Sequence, residues 1–199
     1  MPRRKMTQWF KDSRLSKTKI VSARKCKNWK QLKQAIIVLQ HAQKERVSSS
    51  KNGRRIQVLE EHEACDAISE DGRYLLRPPL VGRDAANLQE SLDKRGFSTV
   101  VLCREPKTQF DLCPIVTLGE TTTVRTQIEE PTNPDKPTAG WFDFAVSELG
   151  RTVVDKVDTL ATNDRKLDYL LGHLTAISSY DGLYDAIIVI CDTLNDSNE

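Results

Sequence analysis

Between Val146 and Ile177 the chain places a residue of one stripe at alternating intervals of three and four, and no other feature restricts its folding as strongly. The stripe is Val146, Leu149, Val153, Lys156, Leu160, Asn163, Leu167, Leu170, Leu174 and Ile177. Residues spaced this way share one helix face, and the strict alternation is the a/d register of a coiled coil. Eight of the ten are apolar, while Lys156 and Asn163 put polar groups at d positions, where they select register or oligomer number. The pattern predicts a parallel coiled coil that makes residues 141–199 a helical homo-oligomerisation segment. Its assembly residues are Val146, Leu149, Val153, Leu160, Asn163, Leu167, Leu170, Leu174 and Ile177. The competing reading breaks the stripe near Thr162 and Asn163, lets either residue cap a second helix, and packs the same face locally between antiparallel helices.

Charge divides the chain in a second way. Residues 1–60 hold 17 Lys+Arg against 3 Asp+Glu, and residues 61–199 hold 13 against 25, so a +14 segment precedes a −12 remainder. Such asymmetry suits a basic segment to a polyanion, with nucleic acid the first expectation and an anionic membrane or acidic protein surface the others. Lys and Arg that neutralise phosphates release condensed counterions, which favours binding without reading sequence. The phosphate contacts expected are Arg3, Arg4, Lys5, Arg24, Lys25, Lys27, Lys30 and Lys33, with Trp9 as a residue that stacks on unpaired bases. The clusters Pro2-Arg3-Arg4-Lys5 and Arg24-Lys25-Cys26-Lys27 also fit a nuclear import address.

The remaining segments follow from local chemistry. Residues 1–27 mix cations with Ser and Thr and show little apolar period, so they read as a disordered basic arm. Asn28 and Gln31 form a capping pattern ahead of Trp29, Leu32, Ile36 and Leu39 at helical spacing, giving a basic amphipathic helix and turn over 28–53. A small α+β domain is expected over 54–128. It would hold a strand near Ile56 and Val58, a helix from Glu60, a strand ended by Pro78-Pro79, and a helix from Asp84 closed by Gly96. A β-rich run, Phe97 to Cys103, and two strands either side of Gly119 complete it. Residues 129–140, with Pro131, Pro134 and Pro137, read as a linker. After Asp181-Gly182, the run from Leu183 to Leu194 fits a helix.

Catalytic patterns are scarce. Neither G-x-x-x-x-G-K-[ST] nor G-x-G-x-x-G occurs, and no G-x-S-x-G elbow is present. Five cysteines without a C-x-x-C pair and without a secretory signal read as reduced thiols in an intracellular protein of nucleus or cytoplasm. A zinc-dependent enzyme is the remaining catalytic alternative, with His62 and Cys65 as a half-site and Cys103 and Cys113 completing four ligands. The longest apolar runs, Ala35 to Leu39 and Ala186 to Cys191, fall far short of the roughly 20 residues a transmembrane helix needs. The expectation is therefore a non-enzymatic, oligomeric nucleic-acid-binding protein with no cofactor or metal. Its rival is a protein-interaction adaptor that assembles through the C-terminal stripe.

Overall fold

The computed structural model describes residues 8–51, 55–110 and 112–197. Its elements, in chain order, are α1 (Gln8–Lys25), α2 (Trp29–Ser50), β1 (Gln57–Leu59), α3 (His62–Asp66), β2 (Gly72–Leu76), α4 (Gly82–Lys94) and β3 (Thr99–Arg104). They continue as β4 (Leu112–Leu118), β5 (Thr123–Glu129), α5 (Ala139–Val154), α6 (Asn163–His173) and α7 (Asp181–Asp196). The class is mixed α+β, and among the described residues there is one five-stranded sheet in the order β1-β2-β3-β4-β5. β1, β2 and β3 run parallel, with Tyr74 beside both Gln57 and Val101, whereas β4 and β5 are antiparallel additions.

Alternation along the central strands sorts side chains between two cores. Leu75, Val100, Leu102, Cys113 and Ile115 point to one face, where α1, α2, α5, α6 and α7 supply Ile20, Leu32, Ile36, Phe142, Leu149, Leu167, Leu170 and Ile187. Tyr74, Leu76, Val101, Cys103 and Val116 point to the other, covered by α4 through Ala85, Leu88 and Leu92. Burial on both faces explains the unbroken apolar run Val100 to Cys103 in β3, while β2, equally buried, carries Arg73 ahead of Tyr74, Leu75 and Leu76. Each large side chain withdrawn from water contributes about 1.5–3 kcal/mol before conformational entropy is counted. The larger core draws on helices before and after residues 54–128, so the expected small domain and helical segment share one interior.

Several boundaries follow the sequence signals. Asn28 Oδ1 accepts the Gln31 N–H at 2.9 Å and starts α2. Gly96 ends α4 at φ 81°, where a residue with a Cβ is strained. β1 finds a parallel partner in β2 rather than a hairpin mate.

Three expectations are corrected. The stretch expected to be a disordered arm is helical over Gln8–Lys25, because Trp9, Ser13, Ser16, Ile20 and Ala23 form a stripe that buries against its neighbours. Residues 1–7 lie outside the described residues. The coiled coil is absent among the described residues: α5 stops at Val154, a turn of 3₁₀ helix spans Val157–Thr159, and α6 begins afresh at Asn163. Thr162 caps it, its Oγ1 accepting the Arg165 N–H at 3.3 Å, as in the competing antiparallel reading. The stretch expected to be a linker is a run of bends that buries Pro131 and Pro137, and the Trp141 indole N–H donates across its ends to the Glu129 carbonyl at 2.9 Å.

A polar network crosses the interior where β3 begins. Arg46, 2% exposed, donates from Nε to Gln43 Oε1 at 2.7 Å, from Nη1 to the Thr99 carbonyl at 2.7 Å, and from Nη2 to the Ser178 and Ser179 hydroxyls at 3.0 Å. Gln43 Nε2 donates in turn to Ser13 Oγ at 3.2 Å. These bonds pin α1, α2, β3 and the turn before α7 with directional contacts that an apolar core does not supply. Beside the network, burial pushes the Asp93 carboxyl up, opposed by Arg46, the Gln89 amide and Lys17.

Candidate nucleic-acid interface

The expected site residues fall into three groups. Arg3, Arg4 and Lys5 lie outside the described residues. Trp9, Arg24 and Lys33 are occupied within the fold. Trp9 is 5% exposed, and its indole N–H donates to Ser98 Oγ at 3.1 Å, so its ring is withdrawn from any base. The Arg24 guanidinium grips Asp168 through Nε at 2.6 Å and Nη2 at 2.9 Å, reaches Asp164 at 3.0 Å and lies over the Trp29 ring at 5.2 Å. The hydrogen bonds to Asp168 raise the Arg24 pKa, and the same contact holds the Asp168 carboxyl below its usual range. Lys33 Nζ contacts both oxygens of Asp192 at 2.7 Å. The third group, Lys25, Lys27 and Lys30, is exposed at the α1–α2 turn.

Helix geometry then identifies cations outside the expected set. The buried stripe of α1 runs Trp9, Ser13, Ser16, Ile20, Ala23. At 100° per residue the opposite stripe is Lys11, Arg14, Thr18, Ser22 and Lys25, every one exposed. Lys19 is exposed on its flank, and Lys27 follows at the helix end. Lys11, Arg14, Lys19, Lys25 and Lys27 form no ion pair among the described residues. The single carboxylate of α1, Asp12, accepts from the Gln8 amide at 2.9 Å. The face is thus a row of solvated cations on a rigid helix, long enough at about 1.5 Å per residue to follow several phosphates. The signal was present in the sequence as two interleaved stripes, but serines on the inward one hid the period.

The remaining expected residues have other roles. Leu149, Val153, Leu167, Leu170, Leu174 and Ile177 are buried in the larger core, with Val146 half-buried against it. Leu160 lies in the break between α5 and α6 and Asn163 opens α6, both partly exposed. The stripe is therefore consumed inside its own chain. The zinc arrangement is not brought together either, because Cys65 and Cys103 belong to the α4-side core and Cys113 to the opposite one. Burial pushes the Cys103 thiol up to about 12, and its Sγ lies 3.9 Å from the Leu80 carbonyl oxygen. No helix among the described residues is long and apolar enough to cross a membrane. Comparison of the chain with protein-family models, with curated proteins and with solved structures finds no match.

Proposed function

We propose that the chain is a non-enzymatic nucleic-acid-binding protein whose contact surface is the outward face of α1 and the turn that follows it. The observation that carries the reading is the unpaired row Lys11, Arg14, Lys19, Lys25 and Lys27, opposite a stripe that fixes the helix to the body. A helix held from behind presents its cations without the entropy cost a flexible arm meets on binding. Ser22 adds a hydroxyl between the charges, of the kind that bonds phosphate oxygens, while the Thr18 hydroxyl donates to the Arg14 carbonyl at 3.3 Å. The phosphate backbone is common to RNA and DNA, so the reading covers both.

The test is binding of single- and double-stranded oligonucleotides by the full chain and by the variant Lys11→Glu/Arg14→Glu/Lys25→Glu. All three side chains are exposed, so the fold is expected to survive, which circular dichroism and the denaturation midpoint check. Reversal is expected to abolish binding at moderate salt. Unchanged affinity in a folded variant would remove α1 as the interface.

A further inference from the structure

A hollow of ≈ 500 Å³ opens at the N-terminus of α5, lined by Arg55, Ile56, Arg73, Lys136, Pro137, Thr138 and Ala139. Its charged lining is wholly cationic. Arg73 also lines the second of two neighbouring hollows, of ≈ 330 and ≈ 280 Å³, in which the lysines meet carboxylates of the same walls: Lys44 pairs with Asp181 at 3.0 Å and Lys51 with Asp143 at 3.1 Å. At the larger hollow, Arg55 and Lys136 are exposed and make no ion pair among the described residues.

Arg73 is the decisive residue. Its side chain is 6% exposed, and Nε and Nη1 are buried without a hydrogen-bond partner. The nearest carboxylate, Asp143 Oδ1, is 3.6 Å from Nη1, beyond hydrogen-bond reach, and Asp143 already serves Lys51. The ring of Phe142 lies 5.8 Å from the guanidinium carbon, a cation–π contact that offers no oxygen acceptor. Leaving donors of a buried cation unmet costs a substantial part of their hydration free energy, a cost that an arriving anion removes.

The helix end points the same way. α5 has 16 residues and no acidic side chain in its first turn. Thr138 engages the Trp141 and Phe142 N–H groups through its hydroxyl and carbonyl, at 3.2 and 3.1 Å. The Ala139 N–H, on the wall of the hollow, donates no such bond. A free amide at the positive end of a helix dipole adds a seat for an anion.

We propose that this hollow binds a dianionic phosphate monoester, with Arg73 as the buried anchor, the Ala139 amide as a further donor, and Arg55 and Lys136 closing over it. Three cations and a helix end exceed what one carboxylate neutralises, while a phosphate dianion offers two charges and three acceptor oxygens. The group arrives either as free phosphate or a small phosphomonoester, or as the terminal phosphate of a nucleic-acid strand. The site is independent of the α1 face.

The experiment is amide NMR of the full-length protein titrated with inorganic phosphate, alongside the variant Arg55→Glu/Lys136→Glu. Both substituted side chains are exposed, so folding is not at stake. Saturable shifts at the Ala139 amide, weakened about tenfold or more in the variant, are expected. No saturable shift up to about 50 mM phosphate, or shifts indifferent to the variant, overturns the proposal. Competition with one oligonucleotide carrying a 5′-phosphate or a 5′-hydroxyl separates the two sources. Displacement only by the phosphorylated strand assigns the site to strand ends, and displacement by neither assigns it to a small phosphomonoester. The α1 variant with three charge reversals is expected to bind inorganic phosphate normally, which separates failure of this site from failure of the helical interface.

Discussion

Lys27 carries a backbone φ of 51°, the one positive φ outside glycine among the described residues. It follows α1 at the position where helices commonly turn left-handed, and the flanking Asn28 N–H bonds the Ala23 carbonyl at 2.9 Å across the end. Glycine occupies that conformation without the Cβ conflict that costs other residues about 1–2 kcal/mol. Lys27→Gly is therefore expected to stabilise the fold by about 0.5–1 kcal/mol, once the extra freedom glycine gives the unfolded chain is subtracted. The same change removes one cation from the proposed interface. Denaturant midpoint and oligonucleotide affinity should move in opposite directions, the first up and the second down. A loss of both would mean that the lysine side chain has a packing role that its exposure does not suggest.

At the scale of elements, what could be read in advance was the existence of an apolar face, and what could not was the surface that covers it. α2, α4 and β3 were legible because cap, period and terminator agreed at Asn28, at Ala85-Leu88-Leu92 and at Gly96. α1 escaped because two of its five inward residues, Ser13 and Ser16, count as polar in any hydrophobic period, although small side chains suit close helix contact. The same limit misplaced the long stripe. Its period is continuous through Leu160 and Asn163, but the backbone breaks there, and Leu167 and Leu170 turn onto the core also occupied by Leu149 and Ile187. Lys25 and Lys27 were legible as part of the candidate interface, whereas Lys11 and Arg14 needed the inward stripe to be known first. The consequence for the stripe is measurable. Leu167 is fully buried, so Leu167→Ala should cost about 2–5 kcal/mol of unfolding free energy. Because Leu167 is buried wholly by residues of its own chain, the loss should be independent of protein concentration. A midpoint that rises with concentration in the wild type and loses that dependence in the variant would restore an intermolecular stripe.

The whole molecule spends part of its charge asymmetry on itself. Arg24, Lys33 and Lys44 from the basic segment are paired with Asp164, Asp168, Asp192 and Asp181 from the acidic one, so α1 and α2 are clamped to α6 and α7 by charges that looked available for phosphate. This internal pairing sets how steeply nucleic-acid binding should depend on salt. If all seventeen cations of residues 1–60 met phosphates, the slope of log K against log salt on duplex DNA would approach about −15. The five unpaired cations of the α1 face give about −4.5, and adding Arg3, Arg4 and Lys5 gives about −7. A slope between those two lower values is expected for the full chain. Releasing Arg24 tests the accounting directly: in Asp164→Asn/Asp168→Asn both carboxylates become neutral, and Arg24, whose side chain is 21% exposed, can turn to a phosphate. The partly exposed pairs contribute little to stability, about 1 kcal/mol or less each, so the variant should remain folded. Its slope should steepen by about one and its affinity at low salt should rise. An unchanged slope in the folded variant would place Arg24 away from the bound strand and shift the footprint toward Lys11 and Arg14, at the other end of α1.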